Sequence, residues 1–167
     1  TAYLGSREPF PFDPWGETWH SSVAAEDYRP LTVDQCREMH ESGLMEIGAH
    51  THTHQDFRGR LADFSDDVRI SVDRVRELFD PAEVAFAFPF GRVHLGYVSE
   101  EMKGAARAAG VNCALTTEAM PVDFRSDPFG WPRFNVYDSD TAETLSAKLA
   151  GWYSWAPRLQ ERFTKAR

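Results

Sequence analysis

The sequence predicts an α/β fold with a mostly parallel sheet. Stretches with apolar residues every three or four positions alternate with short β-branched or aromatic stretches, in the order α-β-α-β-α-β-loop-β-α. The 167 residues, 42% hydrophobic and 13% aromatic, suffice to bury one core, so a single domain over 1–167 is expected.

The elements follow in chain order. Residues 1–5 read as the end of a strand, as if the chain began within a fold. Residues 5–30 hold four prolines and two glycines and read as a loop. Trp15 and Trp19 in it either border a groove for sugar rings or fold down onto the core. Thr32 with Gln35 forms a capping box for a helix bearing Val33, Cys36 and Met39 on one stripe, ended by Gly43. Residues 44–49 read as a strand. A second helix is expected over 65–79, with Val68, Val72, Val75 and Phe79 on one side and Asp66 and Asp67 complementing its positive end. Asp80-Pro81 stops it, and 83–88 alternate Val84, Phe86 and Phe88 as a strand. Ser99 caps a third helix that Gly110 ends; 111–117 and 133–137 are the remaining strands. Asp140 with Glu143 predicts a further capped helix, and 152–163 a final amphipathic one.

Charge narrows the partners. Eighteen basic against 26 acidic residues give a net charge of −8 with no basic cluster, which argues against nucleic acid and anionic membrane. No apolar run approaches the length of a membrane span. Cys36 and Cys113 lack zinc-ligand spacing and read as small core residues, with a disulfide left open.

One stretch resists explanation by packing. MEIGAHTHTHQDFRG, residues 45–59, places His50, His52 and His54 within five residues after a strand-like run. Imidazole is a common ligand of zinc-like metals. If the segment turns helically, His50 and His54 share a face; if it stays extended, all three do.

EIGAHTHTHQDF resembles the His-(Ser/Thr)-x-x-His motif of the polysaccharide deacetylases, carbohydrate esterase family four. Phe86–Gly91 (FAFPFG) resembles that family's Pro-Tyr-Gly motif, and Trp131–Val136 (WPRFNV) a strand that often follows it. The resemblance implies a distorted (β/α) barrel, incomplete here because its first β/α unit is missing. It implies a hydrolase that removes N- or O-acetyl groups from a polysaccharide or oligosaccharide, with a divalent metal, zinc foremost, activating water. His50 and His54 would bind the metal, with His52 intervening. Pro89, Phe90 and Gly91 would form the oxyanion and substrate turn, the Phe90 backbone N–H meeting the oxyanion. The substrate class favours an extracellular, periplasmic or cell-envelope setting.

The chain also departs from that pattern. It has no Thr-Phe-Asp-Asp motif to supply a carboxylate ligand and a base; Asp13 and Asp56 are the nearest local carboxylates. Ala87 stands where an arginine often orients the base, so Arg133 either takes that task or is an edge-strand surface residue. No histidine follows His94, which leaves His94 as the candidate acid. An upstream segment or a partner chain is therefore expected to complete the site, and these residues alone are expected to be inactive. A catalytically degenerate carbohydrate-binding domain of the same fold is the rival reading.

Overall fold

The computed structural model describes residues 1–7, 10, 29–137 and 139–152. Helix α1 (Val33–Glu41) starts at the expected capping box, in which Thr32 and Gln35 satisfy each other's end of the first turn. Helix α2 (Leu61–Phe79) is the longest among the described residues, at 19 residues, and begins one turn earlier than the sequence suggests. No side chain caps it at Arg60, so the capping signals do not mark its start. Arg60 instead pairs with Asp63 at 2.8 Å. Asp80, in the left-handed region at φ 45°, ends the helix just before Pro81.

Strands β1 (Ala85–Ala87) and β2 (Cys113–Leu115) pair in parallel, with Phe86 opposite Ala114. Single parallel bridges widen this sheet on both sides, from Ala49 to Phe86 and from Trp131 to Leu115. The spatial order is thus Ala49, β1, β2, Trp131, a parallel arrangement with α2 and helix α3 (Glu100–Ala108) as crossovers. The period of two along β1 divides its faces. Val84, Phe86 and Phe88 are buried against the helices, together with Phe57, Phe64, Val68, Val72 and Val75. Phe64 contacts Phe86 and Phe88 at ring-centroid distances of 6.2 and 6.0 Å, so one aromatic from α2 locks onto two from the strand. The other face presents only small side chains, Ala85 and Ala87, to a groove of about 720 Å³ that His50 and Arg133 border.

Four expected elements take a different form. Residues 1–5 form turns, with Gly5 at φ 77° and Leu4 N–H donating to Thr1 O, not a strand end. The 44–49 stretch joins the sheet only at Ala49, and Leu44 is 86% exposed. Among the described residues it has a strand neighbour on the β1 side alone, where Gly48 comes so close that a Cβ would lie 2.8 Å from Ala85 O. Residues 133–137 are not a strand. The bridging residue is Trp131, which exchanges bonds with Ala114 and Thr116, and Pro132 has no N–H with which to continue a ladder. Helix α4 (Ala142–Leu149) is capped by Thr141 and Thr144; Asp140 instead accepts from Tyr137 N–H and pairs with Lys148. The expected final helix falls almost wholly outside the described residues. Among those described, no helix is long and apolar enough to cross a membrane.

Candidate metal centre

Neighbouring parallel segments send their C-terminal loops to one rim. Ala49 delivers His50–His54, and β1 runs into Pro89-Phe90-Gly91. The histidine loop turns sharply, with Thr51 at φ 61° and His54 at φ 55°. A β-branched residue rarely adopts that conformation, and Thr51 does so at 1% exposure, its hydroxyl accepting from His54 N–H at 3.1 Å. This turn brings the rings of His50 and His54 to 4.8 Å between centroids. His52 goes elsewhere: its Nδ1 is 2.9 Å from Thr1 Oγ1, and its carbonyl accepts from Ala2 N–H.

His50 has a defined tautomer. Its Nδ1 lies 2.7 Å from the Ala87 carbonyl oxygen. A carbonyl can only accept, so Nδ1 carries the proton and Nε2 keeps its lone pair. Burial pushes the His50 pKa down to about 4, against the Ala87 bond, with His54 and Arg133 adding to the drop. His54 is likewise lowered, chiefly by burial. Two adjacent imidazoles held neutral are suitable donors for a divalent cation. Among the described residues, no three His, Cys, Asp or Glu side chains gather as a complete ligand set.

Phe90 sits at φ 61°, with Gly91 N–H donating to Pro89 O at 2.6 Å, a three-residue turn. Thr117 steadies it, its hydroxyl donating to Phe90 O and its N–H to Gly91 O. The Phe90 N–H has no hydrogen-bond partner among the described residues. Its ring lies 5.2 Å from His54 and 4.8 Å from Tyr97, which Arg58 covers at 4.2 Å. Arg133 borders the same groove as His50; burial lowers its pKa, and its Nε has no partner among the described residues.

Two other candidates face side chains outside the histidine pair. His94 is half exposed, with Nδ1 3.9 Å from Glu118 Oε1. Asp56 is engaged by Arg58 at 2.6 Å on the surface. Asp13, Trp15 and Trp19 fall outside the described residues. Asp67 needs correction. It lies well inside α2, not at its start, and its buried carboxylate accepts from the backbone of His52 and Thr53. A sign of this was present in the sequence, since a carboxylate on the same stripe as Phe64, Val68 and Val75 needs a partner.

A parallel α/β layer with a histidine-bearing rim defines the class, and comparison with known proteins gives the family. A model of the polysaccharide deacetylase family matches residues 15–114, so the chain belongs to that family. No curated protein matches it. Among solved structures, a polysaccharide deacetylase from Bacillus cereus is similar at 19% identity and TM-score 0.59, over 72% of this chain and 37% of that one. The Streptococcus pyogenes deacetylase PplD, solved in complex with acetate, is similar at 19% identity and TM-score 0.63, over 80% and 55%. IcaB from Ammonifex degensii is similar at 20% identity and TM-score 0.57, over 74% and 55%. At these identities the likeness is one of fold. The chain spans 37% to 55% of the length of these three relatives.

Proposed function

We propose that residues 1–167 form one domain, an incomplete (β/α) barrel, belonging to a metal-dependent deacetylase of acetylated polysaccharide or oligosaccharide. Its substrate class suits an extracellular, periplasmic or cell-envelope setting. The observation that supports this best is the paired imidazoles, 4.8 Å apart between centroids, with the His50 tautomer set by Ala87. His50, through Nε2, and His54 would hold a divalent ion, zinc foremost. Once bound, the ion supplies Lewis acidity that makes a water nucleophilic near neutral pH and polarises the acetyl carbonyl.

The protein's own groups do the rest. The Phe90 N–H donates to the oxygen on which negative charge develops, a contribution worth about 10²–10³-fold in rate at comparable sites. Arg133 orients the carboxylate base and offsets its charge. The exposed ring of Phe90, at 43%, offers an apolar face to a pyranose. His94 is the candidate proton donor to the leaving group. The carboxylate ligand and base come from polypeptide outside the described residues, or from a partner chain.

One observation favours a second reading, a carbohydrate-binding domain without catalysis: the histidine pair gains no third ligand among the described residues. Acetate release from acetylated chitooligosaccharide decides between the two. Metal-dependent release by the protein, abolished in His50→Ala, supports the enzyme. Binding of the oligosaccharide with no release, metal added or not, supports the second.

A further inference from the structure

We infer that Asp67 is the positioning residue of the histidine rim: from α2 it fixes the backbone between His50 and His54 and thereby sets the relation of the two imidazoles. Its functional weight rests on the metal-binding reading above; its geometry does not.

Asp67 is 8% exposed. Oδ1 accepts from His52 N–H at 2.5 Å and from Thr53 N–H at 3.3 Å. Oδ2 accepts from Thr53 N–H at 3.2 Å and from the Thr53 hydroxyl at 2.6 Å. Both oxygens are thus spent on two consecutive residues of the loop, and bonds to a carboxylate are the stronger kind. Those residues stand between Thr51 and His54, the two positions held in the left-handed region. A strained turn persists only where its surroundings over-determine it, and Asp67 supplies that restraint on both central residues. Ala87 holds His50 from the strand side. The rim is therefore held from the sheet by Ala87 and from the helix layer by Asp67, while Thr1 and Ala2 also donate to the Thr51 and His52 carbonyls.

Outer partners of a metal site typically tune its affinity 10–100-fold. Asp67→Asn keeps the size but exchanges one accepting oxygen for a donor that faces donors. We expect it to lower zinc affinity about 10–100-fold with helical content and cooperative unfolding retained. Thr53→Val removes a single bond and should lower affinity less, in the same direction. Asp67→Glu, which keeps the carboxylate, should recover part of what Asn loses. The nuclear Overhauser effect between the His50 and His54 rings in metal-free protein should weaken in Asp67→Asn. A folded Asp67→Asn protein with unchanged affinity and an unchanged ring-to-ring effect overturns the inference. If wild-type protein binds no zinc, the metal reading fails on its own, and the ring-to-ring effect still decides: its loss in Asp67→Asn supports Asp67 as positioning residue, its persistence refutes it.

Discussion

The Nδ1–H of His50 donates to the Ala87 carbonyl oxygen at 2.7 Å, across 37 residues of sequence. This bond joins the histidine loop to the strand that leads into the Phe90 turn. It also leaves His50 with one nitrogen free to bind, which the sequence pattern alone does not specify.

Zinc titration by calorimetry should separate the three histidines. His50→Ala and His54→Ala should each weaken binding by more than the 10–100-fold typical of an outer-shell partner. His52→Ala, whose ring pairs with Thr1, should leave affinity nearly unchanged. Loss confined to His52→Ala would place the metal on the other side of the loop.

Stability should fall as pH drops through the histidine range. In the unfolded chain His50 takes up a proton near pH 6.5, whereas folded His50 does so only near 4. Between those values the unfolded state binds more protons, so stability rises with pH. It is fully present above about 6.5 and declines toward 4, by at most about 1.4 kcal/mol per pH unit from this residue. Melting temperatures at pH 7.0 and 4.5 should differ less in His50→Gln than in the wild type.

Arg133 lowers the pKa of both His50 and His54 through its charge. Arg133→Met should therefore raise both, as read by NMR titration of the imidazole protons. If neither moves, the guanidinium does not face the pair in solution.

Gly91→Ala should destabilise by more than about 1 kcal/mol. Its backbone lies at φ 62°, and a Cβ would stand 2.8 Å from the Thr117 backbone nitrogen, which has little freedom to move. Chemical denaturation measures this directly.

Phe64→Ala should cost about 3–5 kcal/mol, the usual range for a large core aromatic. Phe64 is 0% exposed and touches Phe57, Phe86 and Phe88. A smaller loss would mean that the helix collapses onto the strand.

Helices α1 and α3 were legible because Thr32 and Ser99 announce them with side-chain caps. Helix α2 was legible in its middle but not at its start, where Arg60 offers no cap. Strand limits were the weakest reading. Apolar alternation at 83–88 marks which face is buried, while the ladder depends on neighbours, and only Ala85–Ala87 are paired as a strand. The histidine motif announced the rim, and its spacing left open whether two rings or three would converge. Thr51 and His54 settle that through left-handed backbone, which no residue-type preference announces for a threonine. Asp67 was read as a helix-end charge because its true partners are backbone groups 14 and 15 positions away.

The aromatic contact of Phe64 with Phe86 and Phe88 has a consequence for how this protein would fail. Phe64 and Asp67 lie one turn apart on the same helix, and Phe86 and Ala87 are adjacent on the same strand. The ring contacts therefore act as a ruler, spacing two of the tethers from which the histidine loop hangs. A substitution that lets the layers slide by a fraction of an ångström would leave a folded, soluble molecule whose rim is out of register. Tolerance to mutation should then be narrower for ligand binding than for folding, and the aromatic core would be the first place where the two part company.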